Sequence, residues 1–209
     1  MNNLNFDVDI QLLSTNQNVK INKDFVEVNQ KKIFCNNVEA IKYGVSMVFS
    51  KNKPTNKKYS IDIKSYTGEQ LSINFSSNNL QYLLAEDSTY FYILAGLWQY
   101  VKKQLISKFI DKLNKAQSFT IANIEVNNTG FIMPYKSWFL GKNKTRNVTW
   151  AESNYYVENG YLHIESKTDR KIKTKMNIYN EWNVVVLNTL LHYLWLDGRK
   201  EKIARGQAI

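Results

Sequence analysis

Apolar positions in this chain recur mostly at a spacing of two. From Asn5 to Leu13, Phe6, Val8, Ile10 and Leu12 alternate with Asp7, Asp9 and Gln11, which predicts a strand with one buried face. Similar short runs at Phe25–Gln30, Ile33–Cys35, Val38–Ser50, Lys58–Ser65 and Gln70–Phe75 are separated by Asn, Lys and Gly. Ser50 to Lys58 holds Pro54 among polar residues and predicts an exposed hairpin loop, since proline cannot join a central ladder. Tyr66-Thr67-Gly68-Glu69 predicts a tight turn with Gly68 at positive φ.

The period then changes. From Ser88 to Lys115, Tyr90, Leu94, Leu97, Val101, Leu105, Phe109 and Leu113 step by three or four, the spacing that keeps side chains on one face of a helix. Lys102, Lys103, Lys108, Asp111, Lys112 and Lys115 fall on the other face, and Asp87 or Ser88 is the expected N-cap. At 1.5 Å per residue the helix would run about 40 Å, more than one small barrel needs, so part of it is expected to reach a second unit. Its first turn, Tyr90 to Leu94, is apolar almost all round and predicts cover on several sides. Gly96, Gln99 and Lys102 interrupt it too often for a membrane span.

After Lys115 the alternation returns. Ser118–Asn127, Gly130–Leu140, Arg146–Glu152, Asn154–Val157, Tyr161–Ser166 and Lys171–Ile178 read as strands. Turns are expected at Asn128 to Gly130, Gly141 to Thr145, Asn159-Gly160 and Thr168-Asp169. A second amphipathic helix, Glu181–Leu196, is expected to be capped by Asn180, to bury Val184, Leu187, Leu190 or Leu191 and Leu194, and to stop at Asp197-Gly198. Arg199 to Ile209 reads as a frayed basic tail. The halves match in content as well as order. Val26-Glu27-Val28-Asn29 aligns with Ile124-Glu125-Val126-Asn127, and Ile61, Ile63, Ser65, Thr67, Gly68 and Leu71 align with Leu162, Ile164, Ser166, Thr168, Asp169 and Ile172. Such a match suggests a duplicated domain, although any two antiparallel sheets share alternation and turn residues. The expected division is 1–116 and 117–209, each ending in its helix.

Six or seven antiparallel strands closed by one C-terminal helix, twice over, resembles the pleckstrin-homology-like fold. In that fold the helix plugs the open end of a bent sheet. The second half carries the resemblance to bacterial domains of this kind in Asn127-Asn128-Thr129-Gly130-Phe131, Lys136-Ser137-Trp138-Phe139-Leu140, Val148-Thr149-Trp150, Asn159-Gly160-Tyr161-Leu162 and Trp182 to Leu187. The first half lacks the corresponding Trp and has a longer closing helix. The resemblance implies an α+β, mainly β class: two tandem bent sheets or barrels, each closed by an amphipathic helix.

Composition narrows the chemistry. Hydrophobic residues make up 44% of the 209 residues and aromatics 13%, enough for packed cores and too much for a disordered chain. The net charge of +10 permits nucleic acid, anionic lipid or an acidic partner. It is spread, with 15 basic against 10 acidic residues in 1–116 and 13 against 8 in 117–209. One cysteine and two histidines leave too few soft ligands for zinc and favour a reducing compartment. Asp7 and Asp9 stand where a secretion signal would be apolar, so a cytoplasmic protein is expected, with peripheral membrane attachment as a variant. Neither a phosphate-binding glycine loop nor an acidic metal cluster is legible. No cofactor is expected.

Catalytic candidates are few. His163 should face solvent between Leu162 and Ile164, His192 should sit on a helix surface, and Cys35 should be a small buried residue in a strand. The expectation is a non-enzyme. For binding, Lys171, Lys173 and Lys175 alternate along one strand face, joined by Arg170 in the turn. They are either a ligand site or a lysine-guarded edge. The Lys142, Lys144 and Arg146 stretch resembles the basic loop with which some pleckstrin-homology domains hold inositol phosphates. Lys51, Lys53, Lys57 and Lys58 form a third basic group, readable simply as a solvated hairpin. Trp138-Phe139 and Tyr155-Tyr156 place adjacent rings on opposite strand faces, so one of each pair should be an exposed anchor for a partner. A protein partner is the leading expectation, anionic lipid the alternative, and single-stranded nucleic acid stacking on those rings the third.

Overall fold

The computed structural model describes residues 6–78, 80, 85–136 and 143–204. Two compact units divide the chain, Met1–Leu105 and Ile106–Ile209. In the first, β1 (Val8–Leu12), β2 (Gln17–Ile21), β3 (Phe25–Val28) and β4 (Lys31–Phe34) form one antiparallel sheet in chain order. A 3-10 turn, Cys35–Asn37, leads to a second sheet of β5 (Val38–Ser50), β6 (Lys53–Ser65) and β7 (Gln70–Ser77). Helix α1 (Ala85–Leu97), a π-helical turn (Trp98–Lys102) and α2 (Lys103–Asn114) follow without a break. In the second unit β8 (Phe119–Ile121), β9 (Ile124–Asn127), β10 (Gly130–Lys136) and β11 (Asn143–Thr149) form a four-stranded sheet. Next come β12 (Ser153–Glu158), β13 (Tyr161–Ser166) and β14 (Lys173–Asn177) as a three-stranded one, then α3 (Val184–Ala204).

The class is thus mainly β with helices, as the alternation predicts, and the order four strands, three strands, helix occurs twice. One half of the sequence match holds at its serine and threonine but not at its end, since Leu71 pairs with Ile63 on β7 whereas Ile172 precedes β14 and Ile164 pairs with Thr174. Ser65 Oγ lies 2.8 Å from Thr67 Oγ1 and accepts from the Glu69 N–H at 3.0 Å. Ser166 Oγ lies 3.0 Å from Thr168 Oγ1 and accepts from the Asp169 N–H at 3.2 Å. Both serines are buried at the exit of the middle strand. The other half fails. Val26–Val28 belongs to the third strand of its sheet, whereas Ile124–Asn127 is the second strand of its own. An alternating strand that ends on Asn enters many hairpins, and the two asparagines act differently. Asn29 itself takes φ 48° and accepts the Asn18 N–H, while Asn127 folds its side chain onto the N–H groups of Thr129 and Gly130.

Several strand bounds also change. Gln17–Ile21 is a strand the reading missed, because Val19 and Ile21 give too short an alternation to stand out. Ser118–Asn127 is two strands, with Ala122 at φ 52° in the turn between them. Cys35 is buried, as expected, but in the 3-10 turn instead of a strand. Lys171 precedes β14, and Asn143 to Thr145 belong to β11 instead of a loop. The stretch expected to be a loop from Ser50 to Lys58 is mostly ladder. The turn is Lys51-Asn52 alone, both at positive φ, and Pro54 sits opposite Phe49 beside a register shift.

The long helix buries most of the face its spacing foretells, with Tyr90, Leu97, Val101, Leu105, Phe109 and Leu113 inside and Leu94 half-buried. Gly96 lets α1 approach β1 so closely that a Cβ there would sit 2.7 Å from Val8 Cγ2. Ile106, Phe109 and Leu113 belong to the second unit, where Phe109 stacks on Phe119 at 4.3 Å. Four helix details depart from expectation. Asp87 lies within α1 and does not cap it; its carboxylate accepts from Tyr59 Oη at 2.6 Å and Lys57 Nζ at 2.9 Å. Phe91 and Tyr92 are exposed, so the first turn is covered on one side only. Lys102 is buried instead of solvated, at the end of the π turn and on the side of Ile106 and Phe109. Finally, α3 begins at Val184 after Asn183 at φ 62°, with no cap from Asn180, and runs through Gly198 to Ala204. A single glycine costs a helix only about 1 kcal/mol. No helix among the described residues is long and apolar enough to cross a membrane.

Candidate functional site

Antiparallel registers place side chains in rows across a sheet. Across β12, β13 and β14 these rows are Asn154–Glu165–Lys173, Tyr156–His163–Lys175 and Glu158–Tyr161–Asn177, all on one face. The opposite face carries Leu162, Ile164, Thr174 and Met176, which are buried. The apolar residues of β13 and β14 thus fix which way the first set points: toward solvent.

On that outer face the aromatic groups assemble. The Tyr156 and His163 rings stack at 4.8 Å with planes 2° apart. Tyr161 meets His163 edge-on at 6.4 Å, and the Lys175 ammonium lies 4.8 Å from the Tyr161 ring centre. Such contacts contribute about 0.5–1 kcal/mol each at an exposed site. They hold the side chains in place and leave Tyr156 40% exposed. Asn154 Nδ2 donates to Glu165 Oε1 at 3.3 Å, adding an acidic margin beside Lys173. Beyond Lys175 an open cleft of about 470 Å³ is lined by Ala122, Asn123, Asn180, Glu181 and Trp182. Asn123 accepts from Thr174 Oγ1 and Glu181 accepts from the Asn177 N–H, so both are held by β14 and its exit. Lys175 thus borders both the aromatic face and the cleft.

The residues singled out from sequence divide accordingly. Tyr156, Lys173 and Lys175 lie on this face. Tyr155 points the other way and is half-buried, which raises its phenol pKa. Arg170 and Lys171 are exposed in the turn before β14, where Lys171 N–H donates to Asp169 Oδ1. Arg146 reaches the same turn from β11 and pairs with Asp169 at 3.5 Å. Lys144 is exposed two residues away on β11. Arg146 is therefore directed at a carboxylate of its own unit, not held free for a phosphate. Trp138, Phe139 and Lys142 lie outside the described residues. β14 is also the edge of its sheet, so Lys173 and Lys175 satisfy the edge-guarding role as well.

Sequence reading assigned His163 to the solvated face, which holds, but not its place in an aromatic stack. Its register partner Tyr156 becomes visible only once the hairpin is closed at Asn159-Gly160. His192 is exposed on α3 beside Trp195. Trp150 is structural: its indole N–H donates to the Asn128 carbonyl at 2.9 Å and its ring meets Phe131 edge-on. Among the described residues no group of three or more His, Cys, Asp or Glu is placed to hold a metal ion.

Other titratable groups with shifted pKa values lie elsewhere. Lys102 donates to Tyr43 Oη at 2.7 Å beneath the Trp98 ring, and burial lowers its pKa to about 8. Burial raises Tyr43 to about 12. Cys35 is raised to about 11, by burial first and Asp24 second, so its thiol stays protonated and weakly nucleophilic.

No family model, curated protein or solved structure matches the chain.

Proposed function

We propose that this protein is a non-catalytic adaptor of two tandem pleckstrin-homology-like domains that binds a protein partner through the outer face of β12, β13 and β14. The observation that carries the reading is the ordered Tyr156–His163–Tyr161 cluster flanked by Lys173, Lys175 and Glu165. Pre-ordered aromatic anchors with a mixed-charge rim are the composition of protein interfaces, where Tyr, Trp and Arg carry most of the energy. The repeated order of four strands, three strands and a helix supports the domain assignment. The pairing of Arg146 with Asp169 weighs against an inositol-phosphate site in that loop.

A photoreactive phenylalanine analogue placed at Tyr156 in the cells that make the protein tests this. The expected result is one discrete adduct that disappears when Lys175→Glu is added. Adducts with anionic lipid or nucleic acid in place of a polypeptide would assign the face to another ligand class.

A further inference from the structure

The β5–β6 hairpin is longer than its sheet. β7 pairs with β6 only from Lys57 onward, so among the described residues Val48 to Ser50 and Lys53 to Asn56 have no strand partner but each other. At about 3.3 Å per residue this two-stranded ribbon reaches roughly 10 Å past the end of β7. Its side chains are not those of a solvated loop. Met47, Val48 and Phe49 are 42%, 39% and 63% exposed, clustered within five residues of the turn. Residues 44–61 contain four lysines and no acid. Lys57 is held by Asp87, but among the described residues Lys51, Lys53 and Lys58 have no carboxylate partner.

We infer that this ribbon is an insertion arm for an anionic lipid bilayer, a second binding surface independent of the adaptor face. Lying along the surface, the ribbon would settle its apolar side at the boundary of headgroups and acyl chains, as amphipathic segments do. Met47 and Phe49, two apart on β5 and so on one face of the ribbon, supply the apolar part, and Lys51 and Lys53 at the turn with Lys58 nearer the base supply cations for the lipid phosphates at either end of it. Stable attachment takes both signals together. Two other occupants fit less well. A second copy of the ribbon would set its unpaired lysines against like charge. A nucleic acid would leave Phe49 and Met47 without an apolar surface to cover them.

Co-sedimentation of the full chain with phosphatidylcholine vesicles, with or without phosphatidylserine, tests the arm. Binding is expected only with phosphatidylserine, falling about fivefold for each of Lys51→Gln and Lys53→Gln and about tenfold or more for Phe49→Ser. These side chains are exposed, so an unchanged circular dichroism melt is expected to show that folding is retained. As a second readout, Ser50→Cys carrying a polarity-sensitive dye should shift to the blue on anionic vesicles; the buried Cys35 leaves the labelling selective. Absence of vesicle binding, equal binding to neutral vesicles, binding indifferent to these substitutions, or a dimer dissolved by Phe49→Ser would each overturn the inference.

Discussion

Lys102 shows how one side chain can set a pH dependence. In the unfolded chain its pKa is 10.5 and in the folded one about 8, so between these values the unfolded state binds more protons. Stability therefore rises as pH climbs from 8 toward 10.5. The shift corresponds to about 3 kcal/mol held against folding at neutral pH. Lys102→Met should thus stabilise the protein by about 2–3 kcal/mol at pH 7 in urea titrations, and the rise should shrink to what Lys108, its pKa lowered by its own burial, contributes. Cys35 acts in the opposite direction, since a thiol raised from 9 to about 11 loses stability over that span. In the variant that fall should stand out, joined above pH 10 by the fall from Tyr43, whose phenol burial raises to about 12. Tyr43→Phe leaves the buried ammonium without its hydrogen bond and should cost about 1–3 kcal/mol. None of this was legible from sequence. Lys102 reads as part of a lysine-rich polar face, yet it stands four and seven residues before the buried Ile106 and Phe109 and ends the π turn that interrupts the regular spacing.

Asp87 makes a similar point about what spacing can reveal. An acid at the start of a helix reads as a cap, yet the helix begins earlier, and the carboxylate instead ties α1 to β6 through Tyr59 and Lys57. Burial, with the Asp87 hydrogen bond second, pushes the Tyr59 phenol upward, so it serves as a hydrogen-bond donor throughout the working pH range. Asp87→Ala should cost about 3 kcal/mol, because it leaves a fully buried hydroxyl and a half-buried ammonium without their acceptor. Chemical denaturation reads this directly.

At the scale of elements, the close approaches are where sequence changes should be felt most. Gly96→Ala sets a methyl group against Val8, and the overpacking of about 1–3 kcal/mol is offset by about 1 kcal/mol of helix propensity. A net loss of about 1 kcal/mol is expected in thermal melts. Gly130→Ala should be worse, since φ is +154° and the new Cβ would lie 2.1 Å from the Val148 carbonyl. Loss of the cooperative transition in the second unit is the expected outcome. The helix and most strands were legible because a buried face leaves a periodic trace. Strand Gln17–Ile21 was not, since two buried valine and isoleucine positions make no convincing period. Nor was the β5–β6 ribbon. Lysines, Asn and Pro are what a loop contains, and the ladder that orders them is set by the partner strand, not by their own propensity.

For the whole molecule, the repeated order of sheets and helix is the strongest structural regularity, and sequence showed it through the right strands only in part. The Ser65–Thr67 and Ser166–Thr168 pairs share their place after the middle strand and their hydroxyl contact, while the turns that follow differ in length, Ser65 N–H donating to Glu69 and Ser166 N–H to Ile172. The Val26 and Ile124 blocks shared only alternation. The candidate face was legible residue by residue, in Tyr156, His163, Lys173 and Lys175, but not as a site. Register alone joins β12 to β14.

The central claim, that this face holds a protein partner, is tested most directly by photocrosslinking from Tyr156 in the producing cells, with Lys112 on α2 as control position. A single polypeptide adduct at Tyr156, absent at Lys112 and lost with Lys175→Glu, is the predicted result. Equal labelling at both positions, or none at Tyr156, would contradict it.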